Sequence, residues 1–296
     1  MHREKLRVIL AGLAAGRPAG TPEQWFAAAD SISRLEALLA IEAAFHISLA
    51  DEALARGRSF DDLVALVAAA PVASVVAETP AWLRPPLPPA PVARWGRPCS
   101  AVLAAWMHTW FRLRVGGRAH LPASEAGLLC ANHASHLDGP ALLAAAGPAR
   151  GRLVFAAAKD YFFARPRLSA WSARALPLIP WERGGDLAAM RGNLRQLAAC
   201  RAAGRIVVFF PEGGRSPDGT LQPFKDGLAF LADELGLPVV PAWIGGTHRA
   251  LPKGASFPRP GRLTVVFGES LRPQRGDPAF AETVRRRMLA LREVTP

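Results

Sequence analysis

The chain is poor in cysteine, with only Cys99, Cys130 and Cys200 among its 296 residues. These three lie far apart, lack the spacing of metal ligands, and are too few for the disulfide framework of a small secreted protein. The sequence therefore predicts a protein of the reducing cytoplasm that holds no metal.

Long apolar runs are also missing, although half of the residues are hydrophobic. No stretch of about eighteen uninterrupted apolar residues occurs, which argues against a transmembrane helix. The amino terminus carries charges and leads into an amphipathic segment, so no signal peptide is expected. A chain of this length and composition is expected to form two folded units.

Acidic residues are scarce relative to basic ones, and the formal net charge is +12. Residues 1–70 carry a balance of −2, which leaves +14 for residues 71–296. A basic body attracts nucleic acid, an anionic membrane surface or an acidic partner, and charge alone does not choose among them. An arginine-rich genome gives the same composition. Because nothing besides charge favours nucleic acid, no such partner is expected.

Residues 1–70 show the apolar period of amphipathic helices. The period covers 3–15, 33–45 and 60–69, and Ser33 with Glu36 predicts a capping box at the start of the second helix. This pattern predicts a small all-α bundle of three helices.

A proline-rich segment follows, with seven prolines in residues 80–98. Such a composition is typical of a semi-rigid extended spacer. We therefore expect a helical domain at residues 1–70, a linker at 71–99 and a second domain at 100–296.

The second domain alternates between predicted strands and helices from Gly127 onward, which indicates an α/β fold with a mixed sheet flanked by helices. Strands are predicted at 127–131, 152–158, 205–210, 238–244 and 263–267, and helices from Pro140 and at 161–174, 186–203, 224–235 and 278–291. In such sheets ligands bind beyond the carboxyl ends of strands, where His133, Lys159 and residues 212–215 are expected.

The stretch from Asn132 to Asp138 places an imidazole and a carboxylate five residues apart, directly after a predicted strand. Histidine is readily poised as a general base near neutral pH, and a carboxylate that accepts its other N–H fixes the tautomer. Alternatively, Ser135 and Asp138 form a capping box for the helix that follows. A metal site at His133, His136 and Asp138 lacks further ligands, and Ser135 lacks the nucleophile elbow of hydrolases.

The stretch from Phe210 to Ser216 combines glycines, whose backbone N–H groups approach an anion closely, with the two-pronged guanidinium of Arg215. This combination suits a phosphate group.

An aromatic helix is predicted from Ser100 to Phe111, with Trp106 and Trp110 followed by Arg112. A helix lying in a membrane interface has this composition, and so does a helix that packs on its own domain.

Four blocks of the second domain resemble the glycerolipid acyltransferases, the family that includes 1-acylglycerol-3-phosphate acyltransferase. The blocks are Asn132 to Asp138, Leu176 to Arg183, Phe210 to Ser216 and Leu237 to Pro241, and Lys159 matches the family's lysine after the second strand. They occur in the family's order, although Gly214 stands where that family usually has threonine. One block alone is a weak signal, but four in order are specific.

This resemblance implies a transfer of a fatty acyl group from acyl-CoA or acyl carrier protein to the hydroxyl of a lysophospholipid, as in phospholipid biosynthesis. It implies that His133 and Asp138 are catalytic and that the substrate is bound by Lys159, Arg183, Glu212, Gly213 and Arg215. A cytoplasmic enzyme attached peripherally to the inner face of the cell membrane is then expected. The alternatives are a phosphate-free lysolipid acceptor of the ornithine type, or a non-catalytic, carrier-fused docking protein.

Residues 3–69 resemble acyl and peptidyl carrier domains, above all in the segment from Asp30 to Phe45. Ser31 falls on the position that carries phosphopantetheine in that family, which implies this group as a cofactor. The alternative is that Ser31 only caps a helix in a degenerate carrier kept for docking. The helix has fewer acids than is usual in carriers.

Overall fold

A computed structural model of the chain describes residues 2–14, 20–28, 31–47, 49, 59–71, 96–163, 176–182, 187–224, 227–252, 254–255, 257–274, 277 and 279–294. The chain divides into two compact units. The first comprises Met1–Pro86 with Gly184–Arg195, and the second comprises Leu87–Arg183 with Gln196–Pro296. The sequence prediction placed all of residues 100–296 in one domain, whereas the structure groups residues 184–195 with the amino-terminal helices.

The first unit is helical in the part that the structure describes. Its helices are α1 (His2–Ala14), α2 (Pro22–Ala28), α3 (Ser31–Phe45) and α4 (Phe60–Ala69). Helix α2 was not predicted, because seven residues are too few to show an apolar period. The apolar stripes bury Leu6, Leu10, Phe26, Leu35, Leu38, Ile41, Leu63 and Val67.

The helix starts in this unit differ from the prediction. Because α3 begins at Ser31, Ser33 lies inside the first turn, and the capping box predicted at Ser33 is wrong. A capping box instead precedes α4, where the Ser59 hydroxyl accepts from the Asp62 N–H at 3.1 Å and the Asp62 carboxylate accepts from the Ser59 N–H at 3.0 Å. Such caps stabilise a helix by about 1 kcal/mol.

A buried ion pair ties residues that are distant in sequence within the first unit. Arg191 lies in helix α7 (Leu187–Ala202), of which the residues up to Arg195 belong to this unit. Its side chain is 2% exposed, and its guanidinium donates to the Glu42 carboxylate at 2.7 Å and to the Leu49 carbonyl at 2.7 Å. The same carboxylate oxygen accepts from the Leu49 N–H at 2.7 Å. The segment around Arg191 is therefore an integral part of the first unit.

The second unit contains a seven-stranded sheet with the order β1-β7-β6-β2-β5-β3-β4. The strands are β1 (Arg114–Gly116), β2 (Gly127–Ala131), β3 (Leu153–Ala158), β4 (Leu178–Trp181), β5 (Ile206–Phe209), β6 (Val239–Gly245) and β7 (Thr264–Phe267). The mixed sheet and five of its strands confirm the prediction. Strand β1 was missed because it has only three residues, and strand β4 because Pro180 interrupts its short apolar run.

The predicted flanking helices begin within four residues of their predicted starts, and one further short helix was not predicted. They are α5 (Gly96–Trp110), α6 (Asp138–Ala145), α8 (Leu228–Glu234), α9 (Thr247–Ala250) and α10 (Phe280–Glu293), and a π-helical turn covers Lys159–Phe163. Helix α6 starts two residues before Pro140, so the predicted proline start is wrong. Proline is tolerated there because the first N–H groups of a helix have no partner within it. Helix α8 starts four residues after the predicted Phe224.

Strand direction determines which loops meet. Strands β2 to β6 are mutually parallel, so their carboxyl ends share one edge of the sheet, which we call the carboxyl edge. Strand β7 is antiparallel to β6 and parallel to β1. The amino ends of β1 and β7 therefore also lie at the carboxyl edge.

Helix α5 has two different faces. Ala104 and Met107 are buried against the core, and the half-buried Trp106 packs edge-on against Phe111 with ring centroids 5.0 Å apart. Trp110 is 49% exposed on the other face. Trp106 thus packs on its own domain, whereas Trp110 is exposed and leaves the membrane-interface alternative open. Among the described helices, none is long and apolar enough to cross a bilayer.

Candidate active site

The imidazole of His133 and the carboxylate of Asp138 meet at the end of β2. Their Nδ1 and Oδ2 atoms lie 2.9 Å apart. The same oxygen accepts from the Ala134 N–H at 2.7 Å and the Ser135 N–H at 2.8 Å, and Asp138 is fully buried at the first position of α6. The carboxylate therefore fixes a tautomer in which Nδ1 carries the proton and Nε2 has a free lone pair.

Asp138 pairs with His133 and also makes one of the two hydrogen bonds of the capping box that was predicted for Ser135 and Asp138. Asp138 accepts from the Ser135 N–H, as in a capping box, but the Ser135 hydroxyl accepts from the Leu137 N–H at 3.2 Å. The Ser135 hydroxyl also donates to the Leu251 carbonyl at 2.8 Å and is buried. A single carboxylate thus stabilises the helix start and orients the histidine.

Asn132 holds the end of β2 against β6. Its buried side-chain amide donates to the Ile244 carbonyl at 2.9 Å and accepts from the Ile244 N–H at 2.7 Å. This role was not predictable from the asparagine before His133, because the partner lies 112 residues away.

Glu212 contacts the backbone of the catalytic candidate. It is 7% exposed, and its carboxylate accepts from the His133 N–H at 2.6 Å and from the Gln222 N–H at 2.8 Å. The His133 carbonyl in turn accepts from the Ser216 N–H at 2.7 Å. Burial raises the pKa of Glu212, against the opposing effect of these two hydrogen bonds. The loop after β5 is thus bonded to both backbone polar groups of His133.

Arg215 lies at the pocket with its guanidinium available to a ligand. It is half-buried, and no hydrogen bond or ion pair joins it to another residue that the structure describes. The turn before it requires glycine at Gly213, where φ is +73°. Burial, followed by the positive charge of Arg215, lowers the pKa of His136.

A pocket of about 380 Å³ opens beside His133. Its polar side includes His133, His136 and Arg215, with Ser135 and Tyr161. Its apolar side is lined by Phe155, Leu176, Leu178, Trp181, Phe209 and Phe210. Phe210 stacks on the His133 ring with centroids 4.1 Å apart, which fixes the imidazole at the boundary of the two sides. The pocket suits a ligand with an apolar chain and an anionic group.

The remaining predicted residues are placed as follows. Lys159 is exposed at the end of β3, outside the pocket lining, and its ammonium bonds the Glu182 carboxylate at the end of β4. Arg183 and the side chain of Ser31 lie outside the described residues. Within the described ranges no group of His, Cys, Asp and Glu has the arrangement of a metal site.

Comparisons with known proteins agree with this geometry. Residues 112–245 match the acyltransferase family model. The chain is 31% identical over 150 residues to a chloroplastic 1-acyl-sn-glycerol-3-phosphate acyltransferase of Brassica napus, a match that covers 50% of this chain and 42% of that protein. It is 31% identical over 192 residues to 1-acyl-sn-glycerol-3-phosphate acyltransferase alpha of Mus musculus, covering 62% and 65%.

A solved structure shows the same fold. It is the 1-acyl-sn-glycerophosphate acyltransferase PlsC of Thermotoga maritima, with 25% identity and a TM-score of 0.55 over 67% of this chain and 79% of that one. The chain spans about half the length of the first plant and algal relatives that it matches. The family model begins at Arg112, after the carrier-like segment. The fold, the ordered blocks and these matches together identify residues 112–245 as a domain of the acyltransferase family.

Proposed function

We propose that this protein transfers a fatty acyl group from a thioester to the hydroxyl of a lysophospholipid, with 1-acylglycerol-3-phosphate as the acceptor. The observation that carries the proposal is the His133–Asp138 pair, with Nδ1 and Oδ2 2.9 Å apart, at the junction of an apolar and a cationic pocket wall. The printed names of the relatives support the same acceptor.

In the proposed reaction, Nε2 of His133 accepts the proton of the acceptor hydroxyl as its oxygen attacks the thioester carbonyl. The tetrahedral intermediate collapses with cleavage of the carbon–sulfur bond, and the leaving thiolate takes the proton from the imidazolium. The products are an ester and a free thiol, so no acyl-enzyme is required. Asp138 stabilises the imidazolium while the pocket holds the two reactants together.

Arg215 is proposed to bind the acceptor phosphate, with Lys159 and Arg183 as further cations. Arg215→Ala is expected to raise the acceptor KM by about 10- to 100-fold, because a charge-assisted pair is lost, and to change kcat little. Steady-state kinetics with 1-acylglycerol-3-phosphate measure both constants. Arg286→Ala, which removes an exposed arginine from α10, is the matched control.

A phosphate-free acceptor of the ornithine type is the second candidate. The Lys159–Glu182 pair favours this candidate, because an ammonium that already bonds a carboxylate is less available to bind a phosphate. Equal use of lysolipids with and without phosphate by the wild type contradicts the phosphate role of Arg215.

Glu212 is proposed to position His133, although the family resemblance implied substrate binding. Glu212→Gln is expected to lower kcat by about 10- to 100-fold with little change in acceptor KM, because the amide does not reproduce two charge-assisted acceptors for backbone N–H groups. Glu125→Gln, at an exposed carboxylate that pairs with Arg272, controls for the loss of charge. A higher acceptor KM with unchanged kcat would contradict this positioning role and support substrate binding by Glu212.

We also propose that the first unit is an acyl carrier that feeds the enzyme in cis, with phosphopantetheine on Ser31. The start of α3 at Ser31 and the balance of −2 against +14 support it. Incubation with coenzyme A and a phosphopantetheinyl transferase is expected to add the mass of the arm to the wild type but not to Ser31→Ala.

An unchanged mass, under conditions that modify a control carrier, favours the degenerate docking module. The acyl donor is then acyl-CoA or a separate acyl carrier protein. The proposed site of action is the anionic inner face of the cell membrane, where the acceptor resides.

A further inference from the structure

Two segments of the second unit lack acidic residues altogether. Residues 100–124 and 249–268 contain seven arginines and lysines and no aspartate or glutamate. The structure joins these segments. The Leu263 N–H donates to the Phe111 carbonyl at 3.0 Å, and the Arg114 N–H donates to the Leu263 carbonyl at 2.9 Å. The two segments therefore adjoin in the fold.

Arginines precede two neighbouring strands of the sheet. Arg114 pairs with Thr264 in the parallel β1–β7 ladder, and Arg112 and Arg262 each precede one of these residues by two positions, near the amino ends of the two strands. Both are exposed, and so is Arg259 in the loop before β7. This arrangement concentrates positive charge at one end of two neighbouring strands.

Two exposed aromatic side chains precede these arginines in the chain. Trp110, at the end of α5, is 49% exposed, and Phe257, in the loop between α9 and β7, is 85% exposed. Among the large apolar side chains described in this structure, Phe257 is the most exposed. An aromatic ring in water beside arginines is typical of residues that enter the headgroup layer of a bilayer.

The active site lies at the same edge of the sheet. Because β7 is antiparallel to β6, with Gly245 opposite Thr264, the amino ends of β1 and β7 are at the carboxyl edge, where His133 follows β2. The segment before the loop also contacts the catalytic turn directly, because the Ser135 hydroxyl donates to the Leu251 carbonyl at 2.8 Å. The basic aromatic surface and the catalytic pair thus share one edge.

We infer that Trp110, Arg112, Phe257, Arg259 and Arg262 form a lipid-facing surface that docks this edge of the enzyme on an anionic bilayer. The arginines contact lipid phosphates and the two rings enter the headgroup layer. The absence of acids from both segments favours this occupant, since the segments carry no carboxylate of their own that would repel an anionic surface. The inference rests on the proposed lipid acceptor, which then reaches His133 from the leaflet to which the enzyme is docked.

Flotation of the full chain with vesicles, in the absence of any substrate, tests this surface. Vesicles of phosphatidylglycerol mixed with phosphatidylcholine are compared with vesicles of phosphatidylcholine alone, at low and high salt. Arg259→Gln with Arg262→Gln is expected to weaken partition onto the anionic vesicles by about thirty-fold, from the effect of two surface cations. Phe257→Ser is expected to weaken it by about tenfold, because an apolar ring no longer leaves water.

Matched controls lie on α10 and after it. Arg286→Gln with Arg287→Gln removes two exposed arginines outside the surface, and Val294→Ser removes an apolar side chain that is 69% exposed. Both controls are expected to bind vesicles within about twofold of the wild type, since partition follows the contact surface rather than total charge.

The proposal is overturned if Arg259→Gln with Arg262→Gln and Arg286→Gln with Arg287→Gln weaken vesicle binding equally, because binding then follows net charge alone. Binding to neutral vesicles that is as strong as binding to anionic ones, or that is insensitive to salt, overturns it as well. Flotation requires no turnover, so it tests the docking surface alone. The proposed acyl transfer is tested separately, by measuring activity on detergent-solubilised acceptor. The two proposals can therefore fail independently.

Discussion

His133→Ala is expected to lower kcat by about 10³-fold or more, because it removes the imidazole that is proposed to take the acceptor proton. The imidazole is held from two sides, with Nδ1 2.9 Å from the Asp138 carboxylate and the Phe210 ring stacked at 4.1 Å. Folding is expected to be unaffected, since the backbone bonds from Glu212 and Ser216 do not involve the side chain. Transfer of labelled acyl groups to 1-acylglycerol-3-phosphate measures the loss.

His136→Ala is the matched control for this prediction. It removes a second imidazole from the same pocket, one that lacks a carboxylate partner among the described hydrogen bonds and that bonds the Tyr161 hydroxyl at 3.4 Å. Its activity is expected to stay within about tenfold of the wild type. Undiminished acyl transfer by His133→Ala would contradict the general-base mechanism. Absence of transfer activity in the wild type would support the alternative of a non-catalytic docking protein.

Arg191→Ala is expected to destabilise the first unit by about 3–5 kcal/mol, because it leaves the Glu42 carboxylate buried without its cation. Both side chains are nearly inaccessible, at 2% and 6% exposure, and the guanidinium also bonds the Leu49 carbonyl. Hydrogen exchange of amides in α1 to α4 of the full chain measures the change. This local measurement is used because a chain of two units does not necessarily unfold in a single transition.

Two further variants separate charge from packing in this experiment. Arg201→Ala, at an exposed arginine of the same helix, is expected to change protection by less than about 0.5 kcal/mol. Arg191→Met combined with Glu42→Leu removes both charges at similar volume and is expected to recover most of the loss. If Arg191→Ala leaves protection of α1 to α4 unchanged, the pair does not stabilise this unit.

Local sequence patterns predicted much of the fold and part of the site. Strand Gly127–Ala131 was predicted exactly because it is a short apolar run that is buried throughout. Helix α4 was predicted from its apolar period. The pairing of His133 with Asp138 was predicted from a spacing of five residues, since one turn between a strand and a helix brings such residues together.

Other features were missed because their cause is not local. The carboxylate of Glu212 bonds the His133 backbone across 79 residues, and Arg191 bonds the Leu49 carbonyl across 142. A glutamate in a turn and an arginine in a helix look the same in sequence whether they are solvated or buried. Strand β1 has three residues and exists only because β7 offers it a hydrogen-bonding partner.

The sequence by itself determined the alternation of strands and helices, the order of the four blocks and the position of the candidate general base His133, because each depends on neighbouring residues. The tertiary structure alone decided that Glu212 bonds backbone groups, that residues 184–195 belong to the first unit, and that exposed Phe257 shares an edge with His133. These outcomes depend on the direction of β7 in the sheet and on the burial of charged groups. Strand direction and burial both arise when helices and strands pack together, and no single segment of the chain specifies either of them.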